Sequence, residues 1–323
     1  MFGERIILVI AVVLIVVLIA TSVGAHVLVT FALDTHARHG VYKPTLPEIL
    51  ATAESTADTS GSDVSLRTAE QEWLLSSATE EFITSFDRLR LHAYFVSAAA
   101  PTEHYAIIIH GYKGTALDMA AYARHYYDRG WNVLVPTHRA HEPSEGRYIG
   151  MGWLEHYDLM DWITHIVSKE SAAHIVLHGV SMGAATALLV TGESLPASVR
   201  TVVEDCGYTS IKDELKYQLA AMFHMPSFPL LPLASFITKR RAGYSFAQGS
   251  CVRAVARSKI PTLFIHGDAD TFVPFAMLDE IYRAAMCEKQ KLVIPGARHA
   301  GARTTDEERY WQTVDKFVDT YIQ

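Results

Sequence analysis

The chain has 323 residues, half of them hydrophobic and a fifth charged, enough for one large domain or two modest ones around a sizeable core. Its net charge of −7 is at odds with the basic surface that nucleic acid demands, so its expected partners are small molecules. Three cysteines (Cys206, Cys251 and Cys287) are too few and scattered for a disulfide framework or a zinc site. The 16 histidines include no HExxH or similar cluster, so no metal or other cofactor is implied.

Every residue from Ile6 to Ala20 is apolar, and a weaker apolar stretch continues from Val27 to Leu33, length enough to cross a bilayer about 30 Å thick. A soluble core helix would show a polar face over that length. Two readings of residues 1–33 remain. One is a single-pass anchor, favoured because the run exceeds a signal core; the other is a cleaved signal, with Arg5 ahead of the run and Val23-Gly24-Ala25 as a small-residue cleavage site. The expected placement is outside the cytoplasm, tethered or secreted, although Arg5 on one side and Arg38 and Lys43 on the other leave the positive-inside rule nearly balanced. Residues 34–68 form a spacer, and within it Ala51–Ser65, with its Ser, Thr, Asp and Gly, has the composition of a flexible linker that would hold a domain off the bilayer. The folded domain, 69–323, is expected to open with a short helix around Trp73, and it shows no internal repeat.

Strands are predicted at Glu81–Phe86, Leu89–Phe95, Tyr105–His110, Asn132–Pro136, His174–His178, Thr201–Asp205, Thr262–His266 and Lys291–Ile294. Between them lie helices: one capped by Thr115 and ending before Gly130, an amphipathic one over Trp153–Val167, and a last one opened by a capping box of Thr305 and Glu308. Short apolar runs between helical patterns require a sheet covered on both faces. The predicted class is therefore α/β, a mostly parallel eight-stranded sheet between two helical layers, with ligands at the carboxyl ends of the strands.

Ser181 lies in His178-Gly179-Val180-Ser181-Met182-Gly183, between an apolar strand and a small-residue helix. Three fixed positions of G-x-S-x-G arise by chance in about one such chain in ten. The strand-to-helix context raises the match to a nucleophile elbow, in which glycines on both sides let the chain approach itself closely. A serine nucleophile needs a base, a carboxylate to orient the base, and donors for the oxyanion, in the chain order Ser, Asp or Glu, His. His299, in a loop between the last strand and last helix, is the candidate base. Asp270 is the candidate acid, with Asp268 a near rival and Asp205 a lesser one. Backbone N–H groups of Met182 and Tyr112 are the candidate oxyanion donors. His110, His178 and His266 end strands and are expected to support loops.

These residues together resemble the α/β-hydrolase superfamily, and in particular membrane-anchored bacterial serine hydrolases of esterase type. The resemblance runs from about Ser85 to the C-terminus. It rests on H-G-Y at His110–Tyr112, Y-I-G-M-G-W at Tyr148–Trp153, G-V-S-M-G-A-A at Gly179–Ala185, E-D-C-G-Y-T-S at Glu204–Ser210, and H-G-x-x-D-x-x-V-P at His266–Pro274. The resemblance assigns the acid to Asp270. It also marks a departure, because similar proteins carry R-G-H-G-x-S-E-G where this chain has Arg139-Ala140-His141-Glu142-Pro143-Ser144-Glu145-Gly146, a loss of two glycines that should stiffen or reshape the loop.

Residues 211–257 are the expected cap. Met222–Ile237 is apolar but carries Pro226, Pro229 and Pro232, so it should fold as broken pieces over the site. Lys239-Arg240-Arg241 is either a solvated cluster or a contact for an anionic substrate or headgroup. The expected activity is cleavage of carboxylic esters through an acyl-enzyme. Thioester or peptide cleavage on the same three residues, or a tethered binding protein without turnover, are the alternatives.

Overall fold

The computed structural model describes residues 2–37 and 61–322. Its strands are β1 (Thr79–Thr84), β2 (Arg90–Val96), β3 (His104–Ile109), β4 (Asn132–Pro136), β5 (His174–Val180), β6 (Val199–Asp205), β7 (Thr262–Gly267) and β8 (Lys289–Ile294). The helices of the first half are α1 (Phe2–Leu33), α2 (Gly61–Ser77), α3 (Ala120–Asp128), α4 (Glu155–Lys169) and α5 (Met182–Val190). Those of the second half are α6 (Ile211–Phe223), α7 (Leu230–Ala242), α8 (Cys251–Val255), α9 (Ala276–Ala284), α10 (Ala302–Thr305) and α11 (Glu307–Tyr321).

All eight strands form one sheet in the order β1-β2-β4-β3-β5-β6-β7-β8. The β1–β2 and β2–β4 pairs are antiparallel and the rest parallel, which is the expected mostly parallel sheet. Successive side chains point to opposite faces, so apolar runs supply two cores at once. Ala106 and Ile108 pack on one side with Tyr126 of α3 and Tyr310 and Val314 of α11. Ile107 and Ile109 pack on the other with Trp162 and Ile166 of α4 and Val190 of α5.

Several boundaries move for local reasons. β5 runs two residues past its predicted end, because Gly179 and Val180 stay paired with β6. The last helix is capped by Asp306, whose carboxylate accepts the Arg309 N–H, and not by Thr305, which ends the preceding short helix α10. At Thr115 the bond runs in the other direction from a simple cap, since its N–H donates to the Asp118 carboxylate at 2.7 Å. Helix α2 begins at Gly61, eight residues before the expected domain start, so the end of the predicted linker is helical. The rest of that linker, with Arg38 and Lys43, lies outside the described residues. Residues 222–237 break as the prolines require: α6 ends on left-handed His224 and α7 starts after Pro229.

Helix α1 makes a contact that its composition does not announce. Its first two-thirds is solvent-exposed, Ile6 to Ile19 offering an apolar surface, but its last third docks on the domain. Ala25, Val29 and Leu33, spaced one turn apart, are buried in the same core as Leu230, Ala234 and Ile237 of α7. The helix is stitched down at its C-terminus. Asp34 accepts from Arg147 at 3.0 Å and from Arg241 at 2.7 Å, and the Ile149 N–H donates to the Leu33 carbonyl at 2.9 Å. The last third of the apolar helix therefore touches the domain directly, and Arg241 is engaged in that docking. Asp34→Ala is expected to weaken this docking, since it removes the buried carboxylate that Arg147 and Arg241 share. Faster proteolytic cleavage between α1 and the sheet would register it.

Candidate active site

At the carboxyl end of β5 the chain turns from strand to helix within one residue. Ser181 occupies that turn with φ 57° and ψ −118°, a left-handed backbone that a non-glycine residue holds only when its surroundings impose it. Its neighbours supply the imposition. A Cβ on Gly179 would stand 2.2 Å from the Gly183 carbonyl oxygen, and one on Gly183 would stand 2.1 Å from the Ile109 carbonyl oxygen. Only glycine fits either position. The Ser181 N–H donates to the Asp205 carbonyl at 2.8 Å, which ties the turn to β6.

The loops after β7 and β8 bring two further side chains to this serine. His299 Nε2 lies 2.8 Å from Ser181 Oγ, and its Nδ1 lies 2.7 Å from Asp270 Oδ2. Asp270 is fully engaged, its Oδ1 accepting the N–H groups of Phe272 and Val273 at 2.9 Å each. Burial alone would raise this carboxyl, but hydrogen bonds from His266 and His299 outweigh it and hold the group at about 2. An ionised Asp270 can only accept, so His299 carries its proton on Nδ1 and leaves Nε2 free to accept the Ser181 hydroxyl. The rivals are elsewhere engaged. Asp268 accepts the Gly296 N–H as a turn residue, and Asp205 accepts the Tyr310 hydroxyl at 3.0 Å.

Helix α5 begins at Met182, so that N–H has no acceptor within the helix and faces the turn. Gly111 packs so closely on Ser181 that a Cβ there would touch the serine Cβ at 3.4 Å, which brings the Tyr112 loop to the same place. His110 and His178 are buried and satisfied. His110 Nε2 accepts the His138 N–H at 3.0 Å, and His178 sits between the hydroxyls of Tyr126 and Tyr310. In the loop that departs from the resemblance, Ala140 keeps the left-handed conformation a glycine would hold, at φ 59°. Arg139 anchors it through buried pairing with Asp158.

Three residues matter more than sequence reasoning allowed. His266 lies 3.2 Å from Asp270 Oδ2 and so holds that carboxylate beside His299; its spacing of four from Asp270 was the available signal. The Tyr112 hydroxyl donates to the Ala32 carbonyl at 2.5 Å, joining its loop to the end of α1. Glu214 of α6, which lines the same cleft as the serine, had no sequence signal. Its Oε1 accepts from Gln218 at 2.8 Å while Oε2 has no partner, and burial pushes the carboxyl up to about 8 despite the Gln218 bond.

These groups open into a cleft lined by Ser181, Tyr112, Met151, Leu219 and Phe272, among others. Its walls come from α6, from the loops after β3 and β7 and, unexpectedly, from Leu28, Phe31 and Ala32 of α1.

A sheet of this order with a strand-turn-helix serine at its centre defines the α/β-hydrolase fold. The solved esterase Pf2001 of Pyrococcus furiosus superposes with a TM-score of 0.64 at 20% identity, over 83% of this chain and 98% of that one. The acylaminoacyl peptidase of Pyrococcus horikoshii superposes with a TM-score of 0.57 at 14% identity, over 76% of this chain and 41% of the longer peptidase. In sequence, the uncharacterised protein YqkD of Bacillus subtilis is 31% identical over 248 residues, 73% of this chain and 81% of YqkD. The uncharacterised protein YfhR of Escherichia coli K12 is 27% identical over 232 residues, 70% of this chain and 75% of YfhR. No established family profile matches the sequence. The chain belongs to the YqkD family of α/β-hydrolase-fold proteins.

Two outcomes follow from the geometry. Gly183→Ala is expected to cost more than about 4 kcal/mol, because its methyl meets backbone oxygen and not a yielding side chain; loss of folded protein in a thermal melt would show it. For Glu214 the sign runs through the proton. The folded state holds that proton more tightly than the unfolded chain, so stability falls as pH rises from the ordinary carboxylate value of 4.5 to about 8. Glu214→Gln should therefore melt higher than wild type by a margin that widens across that window and levels off above it.

Proposed function

We propose that the protein is a membrane-anchored serine hydrolase that cleaves carboxylic esters. The observation that carries this reading is the continuous hydrogen-bond chain from Ser181 Oγ through His299 to an ionised Asp270. In the proposed first step Ser181 Oγ bonds to the ester carbonyl carbon while His299 Nε2 takes its proton. The oxyanion is met by the N–H groups of Met182 and Tyr112. The carbon–oxygen bond to the alcohol then breaks, and that alcohol leaves with the proton from Nε2. Water next attacks the acyl-enzyme, giving its proton to Nε2; collapse releases the carboxylic acid and returns the proton to Ser181. Asp270 stays ionised throughout and stabilises the imidazolium.

The anchor reading of α1 is favoured over a cleaved signal because Ala25, at the end of the candidate cleavage site, is buried mid-helix against α7. Fifteen successive apolar residues ahead of that contact, Ile6 to Ala20, need a bilayer to cover them.

Ser181→Ala is expected to lower cleavage of a p-nitrophenyl ester by about 10⁴-fold or more and to abolish labelling by a fluorophosphonate. Labelling that persists on the alanine variant would overturn the proposed nucleophile. An apolar cleft is equally suited to thioesters, so rates on matched ester and thioester substrates decide between those two acyl bonds.

A further inference from the structure

A helix that anchors a domain usually need do no more than tether it. Here the last third of α1 is part of the cleft: Leu28, Phe31 and Ala32 face the same space as Ser181. Opposite them stand Leu215, Leu219 and Phe223 of α6, and the Phe31 and Phe223 rings meet edge to face at 6.4 Å. The lining is mostly apolar; Lys113, whose Nζ donates to the Phe31 carbonyl at 3.5 Å, and Gln218, which donates to the Phe272 carbonyl at 2.7 Å, are its engaged polar members. Glu214 is its acidic member, and with its carboxyl pushed up to about 8 it is uncharged near neutrality. Aliphatic chains are the ligands such a lining rewards, at about fourfold for each methylene withdrawn from water.

The surroundings of this cleft say where the ligand comes from. Met222, Phe223, Met225 and Phe228, at the apex between α6 and α7, are all exposed, Phe228 by 76%. That apex sits beside α1 at Gly24, where Leu230 Cδ1 lies 3.4 Å from the position a Cβ would occupy. Ala20, the end of the exposed apolar run, is only about 6 Å further along the helix at 1.5 Å per residue. A hydrocarbon core about 30 Å thick that starts at Ile6 takes up about 20 residues of helix, to about Ala25, and so brings its edge to the level of the apex. Bulky apolar side chains at that depth are the pattern of a surface that dips into the boundary layer.

Resting on the serine-hydrolase reading above, we propose that the substrate is an acyl ester of a bilayer lipid, whose chain passes from the membrane beneath the α6–α7 apex into a cleft walled on one side by α1. The anchor then has two roles: it holds the domain against the membrane and forms half of the acyl-chain site.

The test uses the full chain, first in detergent with p-nitrophenyl acetate and octanoate, then in phosphatidylcholine vesicles carrying a fluorogenic long-chain ester. Wild type should prefer octanoate over acetate by at least about tenfold in kcat/KM, and Ala32→Trp, which fills the cleft from the α1 side, should cut that ratio at least about fivefold. Phe228→Asp should lower the rate on vesicle-borne ester relative to the same ester in micelles by at least about fivefold. A second probe does not depend on the tryptophan variant folding. Leu28→Cys should be alkylated by N-ethylmaleimide more slowly once Ser181 carries a dodecylphosphonate, and not when it carries a methylphosphonate. Fluorophosphonate labelling separates the two ideas. Absent labelling of the wild type sinks the hydrolase reading itself. With labelling present, a flat chain-length profile or an unprotected thiol in the Leu28→Cys variant overturns the acyl-chain site, and an unchanged vesicle-to-micelle ratio for Phe228→Asp overturns the bilayer as its source.

Discussion

The architecture of the site depends on one close approach, at the crossing of β5, β3 and the start of α5. Backbone passes backbone at a distance that leaves no room for a Cβ on Gly179 or Gly183, and the carbonyl of Ile109 fills the space where a side chain on Gly183 would go. This contact has two consequences. It forces Ser181 into a left-handed backbone, lifting its hydroxyl out of the strand, and it points the first N–H groups of α5 at the same spot. The strained residue is held by the packed sheet on both sides, so the strain is sustained by the fold as a whole.

Around that crossing the electrostatics divide into two zones. Below the serine, Asp270 is kept ionised by two imidazoles and two backbone N–H groups. Above it the cleft is mostly apolar, with Lys113 at its wall, and the carboxyl of Glu214 in its lining is pushed toward its neutral form by burial. A polar hydrogen-bond chain thus ends abruptly at an apolar chamber. That division suits acyl chemistry, because charge developing at the carbonyl meets fixed donors while the rest of the substrate meets hydrocarbon.

Helix α1 joins this arrangement through its C-terminal turn. Asp34 pairs with arginines from the sheet side and from α7, and the Ala32 carbonyl accepts from Tyr112, whose own N–H is the proposed second oxyanion donor. The end of the apolar helix and the loop above the serine are therefore parts of one hydrogen-bonded assembly. Composition alone held no sign of this, since Val27–Leu33 is as compatible with lipid as with a packed protein face. What decides the matter is the partner surface on α7, far along the chain.

Much was legible beforehand because it depends on local pattern. Short apolar runs between amphipathic segments dictate a two-sided parallel sheet, and all eight strands lie near their expected places because each carries its own periodicity. That Ser181, Asp270 and His299 would lie near one another could be expected because a strand-to-helix turn needs small neighbours and because loops at strand ends are where this sheet class gathers its ligands. The choice of Asp270 over Asp268 came from resemblance. Its physical basis is tertiary: Asp270 faces His266 and His299, whereas Asp268 turns outward to Gly296. The Tyr112 hydroxyl, Glu214 and the docking of α1 share one reason for having been missed. Each depends on a contact between segments distant in the chain, or on the burial that such contacts produce, and neither spacing nor composition encodes those. Pattern along the chain was enough to establish which elements form and which residues lie at their ends. Packing of those elements was needed to settle which side chains meet, which carboxyl stays charged, and that the apolar N-terminal helix is a wall of the cleft, because distance and desolvation exist only once the chain is folded.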